Sequence, residues 1–165
     1  MRFTHRMIMA ALLCAATAAL AVGSFAATST GATVKVGSTG LGRVLVTNKG
    51  MTLYLWAGDR GHTSTCYGDC AEYWPPLLTT GKPTAIGAAN AKLLGTAKRS
   101  DGRLQVTYKG HPLYTFVQDT KRGQTKGEGL TGFGGRWDPV SASGAAVRAP
   151  STASSASASS DSAYS

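Results

Sequence analysis

The sequence predicts an all-β protein: one compact domain made of two repeated three-stranded meanders related by pseudo-twofold symmetry. Three observations carry this. The segment Tyr54-Leu55-Trp56-Ala57-Gly58-Asp59 returns as Tyr114-Thr115-Phe116-Val117-Gln118-Asp119, so Tyr, a second aromatic and Asp recur 60 residues apart. Laying residues 42–59 on 102–119 gives nine identities in eighteen positions, among them Gly42-Arg43, Val46-Thr47, Lys49-Gly50 and Leu53-Tyr54. Within each copy, short runs rich in β-forming residues are separated by Gly-centred turns.

Taken in order, residues 33–36 read as a first strand and 43–47 as a second, with Asn48-Lys49-Gly50 as a hairpin turn in which Gly accepts a positive φ. Residues 53–56 form the third strand, and Trp74-Pro75-Pro76-Leu77 closes the unit. Residues 86–94 hold the only helical pattern, short and weakened by Gly87. The second copy repeats the scheme with strands over 93–98, 103–108 and 113–117, Lys109-Gly110 as the turn, and Trp137-Asp138-Pro139-Val140 as the closing segment. Repeat one spans about 33–80 and repeat two about 93–140. Sheets this small need a second layer to cover an apolar face, so the two units share one domain; sandwich and barrel both satisfy the pattern.

The flanks read differently. Arg2, His5 and Arg6 precede an apolar stretch over 8–22 and a small-x-small site at Ser24-Phe25-Ala26, the pattern of a secretory signal peptide over 1–26. An uncleaved membrane anchor is the alternative, for which the apolar run is short. Cys14 follows Leu13 with too little apolar chain upstream for a lipid-anchor site, and is read as an ordinary residue of a removed peptide. Residues 141–165, with ten Ser and eight Ala, cannot bury enough surface to offset ordering and read as a disordered tail.

Loss of Arg2 and Arg6 with the signal lowers Lys plus Arg from 17 to 15 against 8 acids, a net charge of +7. The basic residues are scattered, with Lys98-Arg99 and Lys121-Arg122 the doublets, and no nucleic-acid signature is present. An exported basic protein, read as a monomer, meets anionic envelope polymers or a membrane surface; solubility alone explains the charge equally well.

In a strand, Tyr54 and Trp56 share one face, as do Tyr114 and Phe116, while Leu53 and Leu55 take the other. Such a face is core packing or a platform for a sugar or flat cofactor. Asp59 and Asp119 stand where strand gives way to loop, where carboxylates accept amide hydrogen bonds; a two-carboxylate glycosidase is the competing reading. Cys66 and Cys70 form an even pair suited to a disulfide in an exported chain. Against this stands redox or metal chemistry, since His62, Cys66 and Cys70 recur at every fourth residue. His111 takes the place of Met51 in the duplicate, and both are haem or copper ligand types. No nucleophile elbow, phosphate loop, dinucleotide fingerprint or zincin motif occurs.

These residues resemble a family of bacterial exported proteins, many of them lipoproteins, described as a secreted repeat of unknown function with a Yx(FWY)xxD motif. The resemblance rests on residues 53–59, on Cys66-Tyr67-Gly68-Asp69-Cys70 through Trp74-Pro75-Pro76-Leu77, on residues 101–114, and on Trp137. It implies an exported envelope protein of two repeats and supplies no catalytic residues. The expectation is a non-enzymatic binding or structural module without a cofactor. A haem or copper accessory protein is the alternative, and an envelope hydrolase the third reading.

Overall fold

The computed structural model describes residues 31–150. Residues 1–26, expected to be a signal peptide, with Cys14 among them, and residues 151–165 lie outside them. Strand β1 (Thr33–Thr39) runs antiparallel to β2 (Gly42–Thr47), with Val34 opposite Thr47 and Val36 opposite Leu45. After the hairpin come β3 (Tyr54–Trp56), a single helical turn α1 (Asp69–Tyr73) and β4 (Leu78–Thr79). Strand β5 (Thr84–Ile86) pairs in parallel with β1. The second repeat contributes β6 (Leu94–Lys98), β7 (Leu104–Tyr108) and β8 (His111–Pro112), then a hairpin of β9 (Thr131–Gly132) and β10 (Gly135–Pro139). Three small sheets result, β2-β1-β5, β3-β10-β9 and β4-β7-β6, with β8 also on β7. They do not close into a barrel.

Three expectations are corrected. The helix falls at Asp69–Tyr73 rather than over 86–94. Gly68, at φ 54°, turns the chain into it, and a bond between Cys66 and Cys70 ties the turn together. Residues 86–94 instead end β5, reverse at Gly87 (φ 62°) and make a 3-10 turn at Ala91–Leu93, capped where Asn90 Oδ1 accepts from Lys92 N at 2.9 Å. The expected strand over 113–117 is reduced to bridges from Tyr114 to Tyr54 and to Pro76. Folded chain also continues beyond Val140: Ala146 bridges back to Val140, and Val147 N donates to Pro139 O at 2.8 Å.

The repeats exchange their closing segments. Trp137 to Pro139 pair with Trp56 to Tyr54, so the end of repeat two completes repeat one. Residues 73–77 run beside 113–117, so the end of repeat one completes repeat two: Leu77 N donates to Leu113 O at 2.8 Å and Val117 N to Tyr73 O at 3.1 Å. At the centre Tyr54 and Tyr114 trade both backbone hydrogen bonds, at 2.9 and 3.0 Å, which places the pseudo-twofold axis between them.

Side-chain alternation then divides the interior in two. Leu53 and Leu113 point into a mainly aliphatic core with Val34, Leu45, Val106, Val140 and the one aromatic Tyr108. Tyr54, Trp56, Tyr114 and Phe116 point the other way, into an aromatic core with Trp74, Trp137 and the disulfide. The repeats also cover each other's turns. Gly50 (φ 84°) and Gly110 (φ 83°) hold equivalent positions, and a Cβ on them would meet Arg122 Cγ at 2.9 Å and the His62 ring at 2.5 Å. Arg122 and His62 are themselves equivalent under the shift of 60 residues.

Candidate functional site

Swapping brings the motif residues together across the axis. Tyr54 Oη donates to Asp119 Oδ2 at 2.6 Å, and Tyr114 Oη donates to Asp59 at 2.9 and 3.0 Å. Each Tyr therefore binds the Asp of the other repeat. Each carboxylate also accepts from its own loop, Asp59 from Thr65 N at 3.0 Å and Asp119 from Lys126 N at 2.9 Å. The geometry demands the motif's spacing: the Tyr must lie at the axis and the Asp at the strand's end, where it reaches back across. Burial raises both carboxyls, Asp59 up to about 6 against hydrogen bonds from Thr65 and Tyr114 that work the other way. Burial and the adjacent carboxylates lift both phenols above the usual tyrosine range.

Beneath the tyrosines lies a ladder of parallel rings. Trp56 stacks on Trp137 at 5.2 Å, Trp137 on Trp74 at 3.9 Å with the planes 1° apart, and Trp74 on Phe116 at 4.2 Å. Tyr54 stands edge-on to Trp74 at 5.3 Å and Tyr114 edge-on to Trp137 at 5.2 Å. The closing residues Trp74, Pro76, Trp137 and Pro139 thus supply the middle of the stack and the strands that carry it.

One side of the axis holds a polar network for which the other has no equivalent. Arg99, only 3% exposed, donates to Ser64 Oγ at 2.8 Å, Gln105 Oε1 at 2.6 Å and the Cys66 carbonyl at 2.8 Å, with its guanidinium 4.2 Å over the Tyr67 ring. Ser64 Oγ lies 2.8 Å from Tyr114 Oη. Since the phenol's one proton goes to Asp59, Ser64 donates here, and a one-way chain runs Arg99 to Ser64 to Tyr114 to Asp59. In the sequence Arg99 stands out only as half of a basic doublet. Its neighbour Asp101, which accepts from both Arg99 and Arg103, is the local signal of an anchored guanidinium.

Cys66 and Cys70 are disulfide-bonded and buried. The other ligand candidates part company. His62 is exposed against Gly110, one residue before the exposed His111, whereas Met51 lines a groove in repeat one. Among the described residues, no three His, Cys, Asp or Glu side chains converge on a metal-sized site.

That groove, about 710 Å³, has Met51, Leu77, Leu78 and Leu104 among its walls and Lys49 and Arg103 among its polar residues. It borders the Asn48-Lys49-Gly50 turn. At the matching turn of repeat two the position is covered: Tyr108 Oη donates to Ala142 O at 2.8 Å, and a Cβ on Gly144 would come 2.7 Å from Lys109 Cβ. A second groove of about 270 Å³ opens beside the ring ladder, lined by Tyr73, Trp74, Phe116, Phe133 and Trp137. Phe133, 49% exposed, is held there at φ 55°, a conformation unfavourable for a non-glycine residue.

No helix among the described residues is long and apolar enough to cross a membrane. No curated protein and no solved structure matches the chain. A family model described as a secreted repeat of unknown function (Lipoprotein_15) matches residues 35–78 and again 95–141, the two repeats that exchange their closing segments. The chain therefore belongs to this family of secreted repeat proteins.

Proposed function

We propose that the protein is a non-enzymatic binding module of the cell envelope, exported as its family is, and that its ligand is an anionic amphiphile of the membrane surface held in the groove of repeat one. The observation that carries this is the difference between the two hairpins. Two equivalent turns exist, and residues 141–147 pack on that of repeat two, while that of repeat one borders the groove of about 710 Å³. Its apolar wall suits an acyl segment, and Lys49 supplies positive charge for a phosphate or carboxylate, Arg103 being paired with Asp101. The basic balance of the whole chain, 17 Lys plus Arg against 8 acids, favours approach to an anionic surface.

Co-sedimentation of the exported chain with phosphatidylcholine vesicles, with and without phosphatidylglycerol, tests this reading. The expected result is binding that requires the anionic lipid, weakens with salt as surface electrostatics are screened, and is lost in Lys49→Glu and Leu104→Glu. Absence of binding, or binding indifferent to both substitutions in folded protein, refutes it.

A further inference from the structure

The ring ladder and its two tyrosines form one connected array. The chain's three tryptophans all stand in one stack, with successive centroids 5.2 and 3.9 Å apart. Two of them, Trp74 and Trp137, reach the wall of the groove beside Tyr73 and Phe133. Each of these two indoles also touches a buried tyrosine edge-on, and each tyrosine hydroxyl is bonded to a carboxylate. Rings at van der Waals separation pass an electron readily. A phenol gives one up much more easily when a base is already placed to take its proton.

We propose that this core is a one-electron relay: an oxygen-centred radical of the peroxyl class, arriving in the groove at Tyr73 and Phe133, takes an electron from the stacked indoles, and Tyr54 or Tyr114 refills the hole while passing its phenolic proton to Asp119 or Asp59. The step balances. The peroxyl radical gains one electron and becomes a peroxide anion, which water protonates to the hydroperoxide. The tyrosine loses one electron and one proton and becomes a neutral phenoxyl radical, and the aspartate gains that proton.

The hydrogen bonds decide where the hole rests. Trp137 Nε1 is buried with no partner, so an oxidised Trp137 has no acceptor for its proton. Trp56 Nε1 has only the carbonyl of Gly132, at 3.3 Å, which is a poor base. The tyrosines have carboxylates at 2.6 and 2.9 Å, and burial makes both carboxylates better bases than ordinary aspartates. With no good proton acceptor at Trp137 or Trp56, a hole on either indole moves on to a phenol and rests there.

Flash oxidation of the full exported chain by photogenerated tris(bipyridine)ruthenium(III), followed by transient absorption and freeze-quench electron paramagnetic resonance, reads the relay. Tyr67→Phe, Tyr73→Phe, Tyr108→Phe and Tyr164→Phe form the background, which leaves Tyr54 and Tyr114 as the two phenols of the chain. The expected result is an indole radical that decays into a tyrosyl radical, more slowly in deuterated buffer. In Tyr54→Phe/Tyr114→Phe the tyrosyl signal should be lost and the indole radical persist. An undiminished tyrosyl signal in that variant, or no tyrosyl radical in the background protein, overturns the relay. The wild-type protein gives a test independent of whether the variants fold. After exposure to alkylperoxyl radicals from an azo initiator, mass spectrometry should find oxidation at Trp74, Trp137, Tyr54 or Tyr114. Oxidation confined to Met51, Tyr67 and Tyr73 would sink the proposal.

Discussion

Tyr54 and Tyr114 occupy equivalent points on either side of the pseudo-twofold axis, and each binds the aspartate of the other repeat, but what surrounds their hydroxyls differs. Tyr54 Oη has, besides Asp119, only the Gly127 amide at 3.3 Å. Tyr114 Oη ends a chain of hydrogen bonds that reaches through Ser64 to the buried guanidinium of Arg99. The disulfide loop adds the Cys66 carbonyl to that side, and no second Cys pair answers it. The shared half of this arrangement is what the fold needs, because each repeat completes the other's sheet and anchors the other's aspartate. The unshared half is what one repeat has acquired beyond that need, and substitutions at equivalent positions separate the two.

Arg99 and Thr39 are equivalent under the shift of 60 residues, and there the contrast is largest. Removing the Arg99 side chain leaves Ser64, Gln105 and the Cys66 carbonyl without their donor inside the protein. We expect Arg99→Leu to cost about 3–5 kcal/mol of unfolding free energy, since several buried acceptors lose a charged partner at once. Thr39, which bonds only the Gly42 carbonyl and Leu41 amide of its own turn, should cost about 0.5 kcal/mol as Thr39→Ala. Urea unfolding of both variants checks the pair, and equal losses would show that the Arg99 network holds nothing together.

The tyrosines come next. Each hydroxyl donates to a carboxylate, and loss of such a bond costs about 1.5–3 kcal/mol. Tyr54→Phe should fall in that range. Tyr114→Phe should lie at or beyond its upper end, because Ser64 loses its acceptor as well as Asp59 its donor. If the order is reversed in denaturant titrations, the polar chain on the Tyr114 side is solvated and weak.

How far these features were legible in the sequence follows the range of the interactions. Strands β1, β2, β6 and β7 and the Lys-Gly turns are local, since β-formers flank a glycine of positive φ, and they stand within a residue or a few of where the residue pattern puts them. The alternation of Leu53 and Tyr54 likewise foretells two faces, and the structure fills one with mainly aliphatic and the other with aromatic side chains. The exchange of Trp74 and Trp137 between repeats is not local. Either closing segment has the same pattern whichever repeat it completes, so nothing in the chain says that Asp59 will meet Tyr114. Arg99 escaped notice for the same reason: its partners Ser64 and Cys66 lie 35 and 33 residues away. Residues 141–147 were hidden by composition, because small side chains that could not form a core still cover a hairpin with backbone hydrogen bonds.

The two motif carboxylates, Asp119 buried and Asp59 half-buried, give the comparison a pH dependence. Asp59 has a folded value of about 6 against an ordinary 3.8, so between these values the folded protein holds more protons than the unfolded chain. Its contribution to stability is therefore greatest below 3.8 and declines as pH rises through about 6. Asp119 acts in the same direction. Asp101, lowered first by its bond from Arg103, acts oppositely but below the ordinary carboxylate range, outside this window. Thermal unfolding should show the midpoint rising as the buffer is taken down from neutrality toward the ordinary carboxylate value. In Asp59→Asn that slope should be reduced, leaving the part due to Asp119. An unchanged slope would place the titration elsewhere.

The smallest difference lies in the two hairpin turns, and it isolates backbone from side chain. Lys109 sits at φ 50° before Gly110 at φ 83°, two successive left-handed residues of the kind for which Asn-Gly is the favoured pair. Lys49, before Gly50, is not among the described non-glycine residues of positive φ. The same replacement should therefore act unequally. Lys109→Asn should raise stability by about 0.5–1 kcal/mol, a part of the cost an ordinary side chain meets in the left-handed region. Lys49→Asn should change it little, because nothing there is strained. Calorimetric midpoints of the two variants decide the matter. Lys49→Asn should nevertheless weaken binding to anionic vesicles if the groove beside it is the site, while Lys109→Asn, at the turn covered by residues 141–147, should leave binding alone. A turn that alters stability without altering binding, opposite one that alters binding without altering stability, would assign architecture to one copy and recognition to the other.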